Sequence, residues 1–392
     1  MGGVVVAGGG HAAGALAVAL RTGGFTDAIT LVGDEPHPPY ERPPLSKGIL
    51  RDDEEFERAL VRPAGWYRDH DVTLHLGRRV VAADIATRTV TLDGGESLTY
   101  GALVFATGLS PRRLRVPGTD LAGVHVLRTV ADARRIAGAG AERVVVVGAG
   151  LLGLEVAAAL RTRGIPVTVV EAAARPLAGV LPAAVGDHIA ALHCARGVEL
   201  RCAAGVAGFV GDRRLHAVEL TDGTRLPADL AVVAIGSTPN DGVAHAAGLE
   251  VRDGIVVDGR CRASLPAVYA IGDVARHPSL RFGGEWRLES WRNAQDQAAA
   301  CARTILGADM PYADVPSFWT DQYDTVVQFA GLTGPTTTAE VQGDPAGGAF
   351  SVLCRRGGAL VGAVGVNRPR DVRQARAAIE RANPPIHPGR TN

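Results

Sequence analysis

Val4-Val5-Val6-Ala7-Gly8-Gly9-Gly10-His11-Ala12-Ala13-Gly14, near the start of the chain, and Val144-Val145-Val146-Val147-Gly148-Ala149-Gly150-Leu151-Leu152-Gly153-Leu154-Glu155, near its middle, decide the fold. Each is an apolar, β-branched run broken by a glycine turn and followed by an alanine- and leucine-rich stretch. This strand–turn–helix context makes a dinucleotide fingerprint. The first glycine (Gly8, Gly148) makes the tight turn, and the second (Gly10, Gly150) lets backbone approach a pyrophosphate. The helix N-terminus that follows presents about half a positive charge to a phosphate. Gly153 fills the third place in the second copy. The first copy has Ala13 there, which predicts a helix packed slightly farther from its strand.

An acid about 20 residues beyond such glycines accepts the hydroxyls of an adenosine ribose. Ala28–Gly33 reads as a strand leading to Asp34 and Glu35, and Pro166–Val170 leads to Glu171. Two fingerprints with matching acids imply two dinucleotides, a flavin and a nicotinamide, and therefore electron transfer. Glu171 would meet a 2′-phosphate as a like charge, which favours NADH. Arg175, four residues on, would suit NADPH instead.

The 392 residues allow two or three domains, and 46% apolar content supplies a large core. With 41 basic and 41 acidic residues there is no bulk attraction to nucleic acid or to a membrane surface. No run approaches the ~18 apolar residues of a membrane span, and a strand begins by Val4, so neither a span nor a signal peptide is expected. The cytoplasm is the expected location. Of the 41 basic residues forty are arginine, and Lys47 is the single lysine. The five cysteines, Cys194, Cys202, Cys261, Cys301 and Cys354, show no CxxC or metal-type pairing.

Residues 1–111 read as β-α-β, a proline-rich loop, a hairpin over Val72–Thr99 and a buried strand ending in Ala106-Thr107-Gly108. Pro111 and Pro117-Gly118 mark a boundary. Residues 112–240 hold the second fingerprint and close on Leu230–Gly236. Ala267–Asp273, another buried strand, and a helix over about Asn293–Leu306 then return to the first unit. The expected fold is therefore α/β: two Rossmann-type domains, the NAD domain (112–240) inserted in the FAD domain (1–111 and 241–315). A C-terminal α+β interface domain (316–392) follows. In it Thr325–Leu332 and Ala349–Arg355 read as strands, Gly357-Gly358 turns a hairpin into Ala359–Val366, and Pro369–Ala382 reads as a helix. The tail Pro384–Pro388 reads as loose.

These residues together resemble the flavin-dependent, NADH-linked ferredoxin reductases of the glutathione-reductase-like two-Rossmann superfamily. The most specific stretches are Tyr40-Glu41-Arg42-Pro43-Pro44-Leu45-Ser46-Lys47, Leu127-Arg128-Thr129, Ala270–Ala275, Glu289–Ala294 and Phe318-Trp319-Thr320-Asp321-Gln322-Tyr323. The resemblance covers nearly the whole chain. It places FAD contacts on Gly8, Gly10, Ala12, Ala13, Asp34, Arg42, Lys47, Val80, Ala106, Thr107, Gly108, Arg128, Asp273 and Trp291. It places NAD contacts on Gly148, Gly150, Leu151, Leu152, Gly153, Glu155, Glu171, Arg175 and Gly236.

Arg42 and Arg128 can fork onto a diphosphate, and strand packing explains Val80 as well as a cofactor does. The five prolines of Pro36–Lys47 read as a rigid loop holding Lys47 at the flavin. Its expected partner is Glu155, and these two are the candidate catalytic residues. His11 is unusual at its place and reads as a packing or capping residue. No metal site is expected.

Disulfide reductases of the superfamily need a cysteine pair shortly after the first fingerprint, and this chain has no cysteine before Cys194. Electrons must therefore leave reduced flavin directly. The resemblance implies transfer one at a time to a 2Fe–2S ferredoxin, which serves a haem or Rieske-type oxygenase. Arg62, Arg281, Arg287 and Arg292 are candidate contacts for an acidic ferredoxin, and the chain would act as a monomer or homodimer. A rubredoxin reductase or an NADH oxidase is the alternative within enzymes. A redox-sensing interaction protein of the apoptosis-inducing-factor type is the alternative outside them.

Overall fold

The computed structural model describes residues 2–51, 55–334 and 337–385. Val4–Ala7 is a strand buried at every residue, and the glycine turn hands it to the helix His11–Thr22. It pairs in parallel with Ile29–Gly33 on one side and Ala102–Phe105 on the other. Val72–Leu76 and Val268–Ala270 form the two edges of this five-stranded parallel sheet. One face is covered by the first fingerprint helix and by Trp291–Ile305 packed on it. The other carries a second apolar layer around Val5, Leu103 and Val268. A sheet buried on both faces needs apolar residues at consecutive positions, so its central strands Val4–Ala7 and Ala102–Phe105 read as unbroken apolar runs.

The second fingerprint repeats the plan. Val144–Val147 lies between Val167–Val170 and Leu230–Val233, with Glu199–Arg201 and Val124–Val126 at the edges, all parallel. Its helix is Leu151–Thr162. The chain leaves the first sheet through Leu109–Pro111 and returns through Ser237–Pro239, and these two segments pair with each other.

The hairpin expected over Val72–Thr99 begins too early. Val72–Leu76 joins the parallel sheet, and the antiparallel unit is Val80–Asp84, Thr89–Leu92 and Ser97–Thr99. Apolar alternation at Val72, Leu74 and Leu76 fits either partner, and only the long-range pairing separates them. Another antiparallel unit, Val206–Gly211, Leu215–Leu220 and Arg225–Pro227, is not anticipated in the sequence reading.

The C-terminal part is a five-stranded antiparallel sheet ordered Ser317–Gln322, Thr325–Gly331, Ala359–Val366, Ala349–Arg356, Thr338–Asp344. The helix Pro369–Ala382 starts with its proline in the first turn and buries Val372, Ala375 and Ile379 against the sheet. The expected strands, hairpin and helix are all present, and Ser317–Gln322 and Thr338–Asp344 are additional. Thr338–Asp344 is exposed at every residue, and its only apolar alternation is the small pair Ala339 and Val341. Val327, Phe350, Val352, Val364 and Val366 share one core cluster with Val144 and Leu154, so this sheet is seated on the second fingerprint unit. The predicted loose tail lies outside the described residues from Ile386 onward. Among the described residues no helix is long and apolar enough to cross a membrane.

Candidate functional site

Both fingerprint turns open into one cleft of about 530 Å3. Gly8 and Gly148 have φ of +133° and +105°, and a Cβ there would lie 2.2 Å and 2.4 Å from the carbonyl oxygens of Ala106 and Ala234. Gly10 and Gly150 are the opposite case, since a Cβ at either would meet nothing within 4 Å. The backbone is thus bare toward the cleft at both second glycines. Each of these two residues begins its helix without a side-chain cap, which leaves helix N–H groups available to an anion. A Cβ at Gly153 would sit 2.0 Å from the Gly148 carbonyl oxygen, so the third glycine sets close helix–turn packing. Ala13 is fully buried in the same role.

Ala12, Asp34, Arg42, Lys47, Ala106, Thr107, Gly108, Arg128, Asp273 and Trp291 line this cleft beside Gly8 and Gly10. Val80 is not among its lining residues. It packs half-buried in the layer around Val5 and Phe105. Asp34 reaches the cleft but is paired with exposed Arg79 at 3.1 Å. Its neighbour Glu35 is more tightly held, accepting from the Tyr40 hydroxyl at 2.5 Å and from Arg42 at 2.9 Å. Arg42 also donates to the Tyr40 hydroxyl and to the Arg128 carbonyl. The Arg128 guanidinium is 3.7 Å from Asp273. Burial pulls the Arg128 pKa down, and the nearby Arg42 charge adds to this. Burial pushes the Asp273 carboxyl up, against the pull of Arg128. Arg128 Nε and Trp291 Nε1 are buried without a partner among the described residues. Two converging guanidiniums, an orphaned donor and a bare glycine backbone are the donor set an anionic dinucleotide satisfies.

On the other side Gly150, Leu151, Leu152, Glu155 and Gly236 line the cleft. Glu171 is tied to the second turn, accepting from the Ala149 N–H at 2.6 Å and the Ala173 N–H at 2.7 Å. Neither Glu171 nor Arg175 is among the lining residues, and Arg175 lies 3.9 Å from Asp187.

Lys47 Nζ lies 3.4 Å from Glu155 and 2.8 Å from Asp321, with the Trp319 ring centroid at 5.5 Å. The pair expected from the sequence is therefore in place, with a second carboxylate on the same ammonium. Glu155 is buried and accepts from Ser46 Oγ at 2.6 Å and Thr320 Oγ1 at 2.6 Å. Burial raises its pKa, and Lys47 is the largest opposing influence. Trp291 stacks on His11 at 5.1 Å and meets Trp319 edge-on at 5.6 Å. Burial pushes His11 down to about 4, so it packs as a neutral ring.

Ser46, Trp319, Thr320 and Asp321 carry no role in the sequence reading. Their only signal is membership of the two quoted stretches, and nothing local predicts that Ser317–Gln322 crosses to Lys47. Of the candidate ferredoxin contacts, Arg62 is exposed and Arg292 is exposed but paired with Asp296. Arg281 is spent on the carbonyls of Ala313, Glu380 and Asn383. Arg287 keeps 9% exposure and pairs with Asp253 and Glu289. These last two are structural. Cys261, Cys301 and Cys354 are buried, and no cysteine lines the cleft.

Residues 2–298 match the pyridine nucleotide-disulphide oxidoreductase family, and residues 317–389 match the family described as reductase C-terminal. The chain is 42% identical to rhodocoxin reductase of Rhodococcus erythropolis over 96% of its length and 89% of the relative's. It is 42% identical to the anthranilate 1,2-dioxygenase system ferredoxin–NAD(+) reductase component of Burkholderia cepacia, covering 96% of this chain and 93% of that one. Among solved structures, the ferredoxin reductase for the CYP199A2 system of Rhodopseudomonas palustris superposes with a TM-score of 0.92 at 38% identity, over 95% of this chain and 92% of that one. The reductase in the covalent putidaredoxin reductase–putidaredoxin complex gives 0.93 at 35% identity, over 96% and 93%. With two bare dinucleotide turns on one cleft and these relatives along its length, the chain belongs to the pyridine nucleotide-disulphide oxidoreductases, as a flavoprotein reductase of the ferredoxin–NAD(P)+ reductase group.

Proposed function

We propose that this protein is a FAD-dependent NADH:ferredoxin reductase. It passes electrons from NADH through FAD to an acidic 2Fe–2S ferredoxin that feeds an oxygenase. One observation carries the reading: two dinucleotide turns open into a single cleft, with Lys47 and Glu155 paired and no thiol lining it.

FAD, when bound, takes two electrons together and returns them singly, and the protein's task is alignment and electrostatics. Gly8, Gly10 and the N-terminus of His11–Thr22 hold its diphosphate together with Arg42 and Arg128. Glu35 and Asp34 face the ribose end, and Asp273 accepts from hydroxyls of the linking chain. Gly150 and the N-terminus of Leu151–Thr162 hold the nicotinamide dinucleotide's phosphates, and Glu171 its adenosine ribose. Leu152 and Glu155 bound the ring's place. Lys47 stabilises negative charge that develops beside it, while Trp291 and Trp319 exclude water. The Glu171 charge supports NADH over NADPH.

We read the domains as 1–111 with 241–315, 112–240 and 316–392. Two features support this: the paired crossing segments Leu109–Pro111 and Ser237–Pro239, and the return of Val268–Ala270 to the first sheet. A cytoplasmic location belongs to the same reading.

The test is anaerobic stopped-flow of the yellow protein with NADH and then with a 2Fe–2S ferredoxin. Fast bleaching followed by fast reoxidation is expected. In a companion run in air, rapid NADH consumption without any protein acceptor would make the protein an oxidase. Slow bleaching with a persistent long-wavelength band would make it a sensor.

A further inference from the structure

A buried file of polar side chains runs from Glu155 away from the cleft. Thr320 Oγ1 donates to Glu155 at 2.6 Å, Gln322 Nε2 donates to Thr320 Oγ1 at 2.9 Å, and Gln322 Oε1 lies 2.9 Å from His193 Nε2. Thr320, Gln322 and His193 are all completely buried. Glu155 is on the helix Leu151–Thr162, His193 on Ala183–Ala195, and the two residues between them on the C-terminal strand Ser317–Gln322.

The direction of the file is fixed at its far end. His193 Nδ1 is buried with no partner among the described residues, so a proton there would be stranded. The ring therefore carries its proton on Nε2 and donates it to Gln322 Oε1. That orients the amide to donate to Thr320, and leaves the Thr320 hydroxyl proton only Glu155 to point at. A carboxylate accepts such a bond on Oε1, and a proton on that oxygen would have to reverse every bond back to His193. The neutral acid is left with Oε2, toward Ser46, whose hydroxyl would then have to turn to the more distant Pro43 carbonyl at 3.4 Å.

We infer that His193, Gln322 and Thr320 form a directional positioning file that locks the Glu155 side chain and holds it in its charged form. Burial works against that charge, and the file works with Ser46 and Lys47 to preserve it. The charged groups facing Glu155 are Lys47, from the loop before Gly48, and Asp321 on the C-terminal strand. Of the other elements packed on the helix Leu151–Thr162, Gly48–Arg51 carries one charge, Arg51, at its end, and Pro43–Ser46, Val144–Val147 and Val167–Val170 carry none. The importance of the file for turnover rests on the proposed role of Lys47 and Glu155 beside the nicotinamide.

Difference infrared spectroscopy of the flavoprotein through a pH titration reads the protonated-carboxyl band of Glu155, assigned by its loss in Glu155→Gln. Thr320→Val should move the protonation midpoint up by about one pH unit, a tenfold gain in proton affinity. Thr320→Ser should restore it, and His193→Phe should shift it in the same direction by less. An unmoved midpoint in a Thr320→Val protein that melts like the parent would overturn the inference. If that variant does not fold, Gln322→Leu decides: an upward shift supports the file and no shift overturns it. Shifted bands in a protein that NADH does not reduce would leave the file standing and remove the proposed function. Normal reduction without a band shift would do the reverse.

Discussion

Lys47→Met removes the ammonium that faces Glu155 at 3.4 Å and Asp321 at 2.8 Å. Lys47 and Glu155 retain 16% and 10% side-chain exposure, so water does not screen their interaction as it would a surface pair. Breaking a buried pair by deleting one partner costs about 3–5 kcal/mol when the other stays charged. Glu155 keeps the Ser46 and Thr320 donors, which points to the lower end, about 3 kcal/mol. The pH profile identifies the cause. Burial holds the Glu155 pKa above its ordinary value, and the Lys47 charge is the largest influence lowering it. An acid with a raised folded pKa binds protons more tightly folded than unfolded. Stability therefore falls as pH rises from the unfolded value, about 4.3, through the folded one. Lys47→Met lifts the folded value further. About 3 kcal/mol corresponds to about two pH units. The variant's deficit should be small below the parent's Glu155 midpoint, grow over about two pH units above it, and then level off. The assay is urea denaturation across a pH series, for the parent, Lys47→Met and Lys47→Met with Glu155→Gln. A deficit that does not change with pH, or one that the added Glu155→Gln does not recover, would refute the reasoning.

Gly150→Val should leave folding within about 1 kcal/mol of the parent, because the site is open, yet slow reduction by NADH more than tenfold with FAD retained. Gly153→Ala, whose methyl would strike the Gly148 carbonyl, should instead lower stability by about 1–3 kcal/mol, read as a shifted melting curve. Glu171→Ala removes the acceptor for two backbone N–H groups and the like charge against a 2′-phosphate. The kcat/KM ratio of NADPH to NADH should rise on the order of tenfold, and an unchanged ratio would remove Glu171 from cofactor choice. Ferredoxin reduction should slow several-fold between low and high salt if exposed arginines such as Arg62 and Arg292 guide docking, and a flat profile would sink that idea.

Both fingerprint units were legible because their signals are local. A glycine forced to φ near +105° to +133°, a bare second glycine and a four-residue buried strand leave their mark within a dozen positions. The helix Pro369–Ala382 was legible to the residue, since its proline start and its Val372, Ala375 and Ile379 stripe are also local. Val72–Leu76 was misassigned because a period of two says that a strand exists and nothing about its partner. Thr338–Asp344 alternates only weakly, through Ala339 and Val341, is exposed at every residue, and is a strand through its pairing with Ala349–Arg356.

The cleft shows the same limit in chemical terms. Lys47 and Glu155 could be proposed as partners because the resemblance gives both of them a role at the flavin. Asp321, closer to Lys47 than Glu155 is, could not be, because the resemblance gives it no role although it spans that position too. Its contact depends on the C-terminal sheet being seated on the second fingerprint unit, through Phe350, Val352 and Val364 in the core shared with Val144 and Leu154. Apolar packing among segments about 200 residues apart thus sets the charge around the single lysine. Three residues of one strand, Trp319, Thr320 and Asp321, reach Lys47 or Glu155. Small shifts of that sheet would therefore change how Lys47 is divided between a buried carboxylate and a half-buried one.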